Sequence, residues 1–106
     1  MHNNAESEPP VERKFIEGIA RKLLMEAVYN GEKMVLAPHQ LFTRNDALFV
    51  SALNTTRNWR SPEERRVGHF KLQGLSNVAL TEQSFEPLPT FDDSPAREGD
   101  KQLFSV

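Results

Sequence analysis

The sequence predicts an α+β protein, mainly β with one N-terminal helix, whose short strands roll into a small five-stranded β-barrel. Three observations predict it: an amphipathic helical stripe near the N-terminus, an Asn30-Gly31 pair between two strand-like runs, and the near-continuous apolar run ALFVSAL at residues 47–53. Asn-Gly between such runs is a strong hairpin signal, because both residues tolerate positive φ. A strand apolar on both faces has to be covered on both.

Taken in order, residues 1–8 are polar and are expected to be a disordered tail. Pro9 and Pro10 suit a helix start, where a missing N–H costs nothing, with Ser7 or Glu8 as cap. Val11, Phe15, Ile16, Ile19, Ala20 and Leu23 then share one helical face. Gly18 lies within that helix at a cost of about 1 kcal/mol against alanine, which marks a close packing contact. From Leu24 the period shortens to two, giving a strand that turns at Asn30-Gly31. The return strand, residues 32–37, is expected to stop at Pro38, which cannot donate to a ladder. Leu41, Phe42 and Thr43 continue extended, Asn45-Asp46 turns the chain, and residues 47–53 form the central strand. The polar stretch 54–66 is a long connection and a candidate functional loop. Residues 67–72 and 78–80 supply two further strands around a turn at 74–77, and Phe85, Leu88 and Phe91 pack as an extended tail. A helix followed by such a meander suits a barrel of the SH3-like or Sm-like kind, which avoids exposed edges by near closure. One domain, residues 9–91, is expected, followed by an acidic disordered tail at 92–106 in which Leu103-Phe104 could act as a docking anchor.

The composition narrows the chemistry. With no cysteine there is no disulfide framework, thiolate metal site or cysteine nucleophile, and His2, His39 and His69 are too scattered to suggest a metal. No cofactor is implied, and no constellation of catalytic residues or Gly-rich phosphate loop is present, so the chain reads as a non-enzyme. No apolar run reaches the roughly 18 residues that span a bilayer, and the N-terminus lacks the build of a signal peptide, so a cytoplasmic location without membrane partner is expected. The formal net charge of −2 is uneven: residues 1–10 carry Glu6 and Glu8, and residues 72–106 carry six acids against Arg97 and Lys101. The middle of the chain is therefore basic. It could bind an anion for which the acidic ends compete, or the ends could serve solubility alone.

His39 follows Pro38 at a strand break, where its ring could donate to an anion or form a backbone-bonded corner. His69 and Lys71 lie two apart on one strand, hence on one face, and with Arg44 and Arg66 make either an anion site or a solvated surface. Trp59, between Arg57 and Arg60, reads as a stacking platform for single-stranded nucleic acid or as an aromatic folded back to cap the barrel. Phe49, Phe70 and Phe85 read as core.

The blocks VYNGEKMVLAPHQL, NDALFVSALN and GHFKLQGLSNVALTEQSFEP together resemble the WYL domain, over roughly residues 20–89. The matched features are the Tyr29-Asn30-Gly31 hairpin, the Pro38-His39-x-Leu41 step and the block from Phe70 to Phe85. Leu48-Phe49-Val50 stands at the signature strand, where the family has Trp-Tyr-Leu; Lys71 replaces an arginine, and Gly74 often a second basic residue. The resemblance implies a Sm-like barrel in a ligand-sensing module of bacterial transcription regulation or stress response. Its ligand would be an anion, single-stranded nucleic acid or a nucleotide, held by His39, Arg44, Trp59, Arg66, His69 and Lys71. The lost basic residues favour the alternative, a protein-interaction or self-assembling module with a protein partner or a second copy of itself.

Overall fold

The computed structural model describes residues 10–106, in which one helix and six strands form two main layers. Helix α1 (Val11–Arg21) starts from Pro10, whose carbonyl accepts the Arg13 and Lys14 N–H groups. The expected caps Ser7 and Glu8, like the whole tail 1–8, lie outside the described residues. The helix ends at Lys22, left-handed at φ 56°, whose N–H returns to the Gly18 and Ile19 carbonyls. Phe15, Gly18 and Ile19 form the buried stripe, while Ile16 and Ala20, expected on it, face solvent.

Gly18 makes the predicted close contact. A Cβ there would stand 2.6 Å from Met25 Sδ and 3.3 Å from Pro38 Cγ, and Met25 is fully buried. Gly18→Ala should therefore destabilise despite alanine's better helix propensity, and Gly18→Val should cost about 1–3 kcal/mol through overpacking. Urea unfolding of the two variants measures this; an alanine variant more stable than the parent would mean that the helix sits further from the sheet.

All strand pairings are antiparallel. Strands β1 (Leu23–Tyr29) and β2 (Glu32–Arg44) meet at Asn30-Gly31, with φ 52° and 79°. Strand β3 (Ala47–Asn54) follows Asn45 and Asp46, at φ 52° and 65°. Both hairpins thus have two-residue loops with both residues left-handed, which matches strand twist. β2 does not stop at Pro38. A register shift between Pro38 and Gln40 absorbs the missing donor, as bulges do, and the strand runs on to Arg44. The central strand is consequently β2, buried without a break from Leu36 to Phe42, and not residues 47–53.

The expected five-stranded SH3-like or Sm-like barrel is not formed: the sheet is open and six-stranded. Its order is β4-β3-β2-β1-β5, where β4 is Gly68–Lys71 and β5 is Leu75–Ser84, and a sixth strand pairs with β2. β4 has only four residues, all paired with β3, and the 3-10 turn Leu72–Gly74 then carries the chain to β1. No ladder joins β4 to β5 among the described residues. The sheet still curls strongly, since the Tyr29 ring of β1 meets Phe70 of β4 edge-on at 5.3 Å. Helix α1 packs against β1, β2 and β5, and Phe15 and Ile19 join Met25, Ala27, Leu36, Leu41, Val50 and Ala52 in the core.

Residues 92–106 do not form the expected disordered tail. They end in β6 (Lys101–Ser105), antiparallel to β2 with Leu41 opposite Phe104. The reason lies at the other end of the chain. β1 pairs with β2 only as far as Leu36, because the chain preceding Leu23 is helical. The β2 edge beyond that point needs partners, and β6 supplies them while Phe104 and Val106 pack against the core. Residues 85–100 reach β6 as an arm along the face of β2 opposite α1. The arm is held by Gln40 Nε2 donating to the Asp93 carbonyl at 2.7 Å and by the Phe85 and Phe91 rings against His39.

Candidate anion-binding site

Alternation along β2 sends Leu41 into the core and Gln40, Phe42 and Arg44 to the opposite, arm-covered face. The register places Phe49 and Ser51 of β3 and then Lys71 and His69 of β4 beside them. Phe42 and Phe49 stack at 5.5 Å, so Phe49 belongs to this face and not to the core. Of the signature-strand positions, Val50 is fully buried and Leu48 half-buried against the core.

His39 takes the structural alternative. It is fully buried, its Nδ1–H donates to the Ala37 carbonyl at 2.8 Å, and its Nε2 accepts the Leu88 N–H at 3.0 Å. That pattern requires a neutral ring, and burial pushes its pKa below the ordinary value. Neither nitrogen is available to a ligand while the arm is docked.

Arg44 is committed as well. Its Nε and Nη2 donate to the two carboxylate oxygens of Asp100 at 3.0 and 2.8 Å, with the side chains only 11% and 3% exposed. The guanidinium also lies 5.1 Å from both the Phe42 and Phe49 ring centres. Hydrogen bonding from Arg44 holds the Asp100 carboxyl below the usual carboxylate range. Asp100 was missed as a partner because 56 residues separate it from Arg44 and only the β6 pairing closes the gap.

Arg44 Nη2 reaches His69 Nδ1 at 3.3 Å. Arginine can only donate, so His69 Nδ1 carries the lone pair and the proton sits on Nε2. Burial, then the Arg44 charge, lower the His69 pKa, against a smaller opposing effect of Asp100. The ring is therefore a neutral N–H donor at neutral pH, with no protein acceptor for Nε2 among the described residues.

His69 lines a cleft of about 300 Å³ between this face and the arm, together with Arg66, Gln40, Ser51 and Thr90. This is where two of the expected residues, Arg66 and His69, come together. The Arg66 side chain makes no ion pair or hydrogen bond among the described residues. Asp92 also lines the cleft, but its Oδ1 accepts the Ser94 N–H and hydroxyl, which hold its pKa down. Gln40, Ser51 and Thr90 carried no signal in the sequence, since their role depends on strand register and on the arm.

Lys71 and Trp59 lie elsewhere. Lys71 lines a separate groove with Glu12 and Asp46. Trp59 folds back so that its Nε1–H donates to the Asn54 carbonyl at 2.9 Å, and Arg57 lies 4.6 Å over its ring. It borders a hollow of about 320 Å³ whose lining includes Arg57, Arg66, Val67 and Phe70. Among the described residues no group of three His, Asp or Glu side chains is placed to hold a metal ion. No family model, no curated protein and no solved structure matches this chain.

Proposed function

We propose that this chain is a non-enzymatic binding module for a phosphate-bearing ligand of nucleotide class, held in the cleft at Arg66 and His69. The observation that carries the reading is the convergence, on one cleft, of a guanidinium and an imidazole N–H that have no protein partner among the described residues. Gln40 and Ser51 add polar groups to its floor, and a cleft of about 300 Å³ is at the lower end of the range for small-molecule sites. The resemblance to WYL domains points the same way, and a ligand-sensing role in transcription regulation or stress response belongs to this proposal.

Calorimetric titration with pyrophosphate and adenosine monophosphate at low salt tests it. Binding should weaken as salt rises, and Arg66→Gln or His69→Phe should each reduce affinity about tenfold, as loss of a hydrogen bond to a charged group does. Absence of binding at low salt, or binding indifferent to both substitutions, would refute the reading.

One observation favours a second reading, self-association. Leu103 on β6 is 55% exposed and Ile16 on α1 39% exposed, and the two elements are in contact. A solution mass that stays monomeric across a wide concentration range would dispose of it.

A further inference from the structure

The cleft takes its two walls from distant parts of the chain. One is the sheet, where the register sets Gln40 opposite Ser51 and Ser51 opposite His69, so that the three side chains stand in line across β2, β3 and β4. The other is the arm, from Leu88 through Thr90 and Phe91 to Ala96. A ligand filling this space touches sheet and arm together. Gln40 and Ser51 are only 5% and 3% exposed, and neither the Ser51 hydroxyl nor Gln40 Oε1 has a protein partner among the described residues. Buried polar groups of this kind are costly until water or a ligand satisfies them.

The ion pair that fastens the arm also reaches the cleft. Among the described residues Arg44–Asp100 is the sole ion pair between arm and sheet. Asp100 immediately precedes β6 and also accepts the Arg97 N–H at 3.2 Å. Arg44 in turn reaches His69 Nδ1 at 3.3 Å, which leaves the His69 Nε2–H for the cleft. One guanidinium, held against the Phe42 and Phe49 rings, thus bridges the cleft and the root of β6. Lifting the arm would remove a wall of the cleft and the anchor of Arg44 at once.

We propose that the cleft ligand clamps the C-terminus: ligand binding, closure of residues 88–96 over the cleft and pairing of β6 with β2 are coupled, with His69, Arg44 and Asp100 as the link. The proposal rests on the cleft reading and adds how that site is regulated. Ligand holds β6 down and a docked β6 completes the site, a reciprocity that linkage requires. Arg44 and Asp100 are positioning residues, since neither lines the cleft. What the ligand controls is the state of β6, which lies against α1 and covers the β2 edge from Gln40 to Thr43.

Amide exchange of the full chain, without pyrophosphate and with it at about ten times its Kd, tests the coupling. The β6 amides exchange by lifting of the arm, so pyrophosphate should slow them about tenfold, the factor by which the ligand then favours the docked state. Asp100→Ala cuts the link: pyrophosphate should still slow Leu88 and Phe91, which lie in the cleft wall, while the β6 amides no longer respond. Should this variant not fold, the comparison in the parent decides alone. If pyrophosphate binds the parent without slowing β6, the proposal is overturned and the cleft reading stands. A β6 response that persists in Asp100→Ala overturns it equally. If calorimetry finds no pyrophosphate binding at low salt, the cleft reading fails and the proposal with it.

Discussion

Phe15→Ala is expected to remove about 3–5 kcal/mol of folding stability, the range for truncating a buried phenylalanine. Phe15 is fully buried in the stripe through which α1 meets the sheet, with Ile19 one turn along and Met25, Leu36 and Leu41 in the same cluster. The loss combines removed apolar burial with the cavity left behind. Gly18 limits how that cavity can collapse, because the helix already stands close to Met25 and Pro38. Against a total stability of about 5–15 kcal/mol, the variant would be marginal. Ile16→Ala is the control: its side chain is 39% exposed, and its change should stay within about 0.5 kcal/mol. Thermal and urea unfolding of the pair measure the contrast. Similar losses at both positions would mean that the helix is rotated about its axis relative to the arrangement described above.

Acid should release the arm before it unfolds the sheet, and His39 is the reason. Its neutral ring donates from Nδ1 and accepts at Nε2, with the Phe85 and Phe91 rings against it. A second proton would occupy Nε2, break the bond from the Leu88 N–H and place a charge among apolar groups. No charged side chain contributes to its shift, which comes from burial, opposed by the bond to Ala37. The sign follows from linkage. The folded pKa lies below the ordinary 6.5, so the unfolded chain binds more protons once pH falls through 6.5. Stability therefore declines from there until the folded pKa is reached. The Arg44–Asp100 pair behaves differently. Asp100 has a folded pKa below the ordinary 3.8, so its contribution persists above 3.8 and disappears only in stronger acid. Between the two ranges, residues 85–91 should loosen while the Asp100 contact holds.

Amide hydrogen exchange provides the measurement. Protection at Leu88, and at Val106, whose N–H donates to the His39 carbonyl, should fall as pH drops below 6.5, beyond the intrinsic pH dependence of exchange. Amides of β1 and β2 in the core should keep theirs. His39→Phe preserves an apolar ring but leaves the Leu88 N–H and Ala37 carbonyl without these partners, a cost of about 1–3 kcal/mol. It should also abolish the pH dependence. An arm equally protected on both sides of 6.5, or a His39→Phe variant with unchanged acid sensitivity, would contradict this account.

The turns and the helix were legible in the sequence because their causes are local. Asn30-Gly31 and Asn45-Asp46 adopt positive φ at their own positions, and Gly18 announced its contact by sitting where a better helix former would otherwise stand. Arg66 and His69 were legible as anion-site candidates near one another, since β4 begins just two residues after Arg66. Other assignments depended on distant segments. Trp59 could not be placed until the Asn54 carbonyl was seen to hold its N–H. His39 reads identically as ligand or as structural corner until the arm supplies Leu88.

By itself, then, the sequence determined what short-range sterics and periodicity control: the helix, the two tight hairpins, the order of the first five strands and the basic character of the middle of the chain. Tertiary structure alone decided that the sheet stays open, that β2 rather than β3 lies at its centre, and that residues 92–106 fold back onto it. The physical reason is the unpaired edge of β2 beyond Leu36, a demand for hydrogen bonds created by where α1 ends and met from the far end of the chain. That closure withdraws His39 and Arg44 from solvent and leaves Arg66 and His69 facing a cleft.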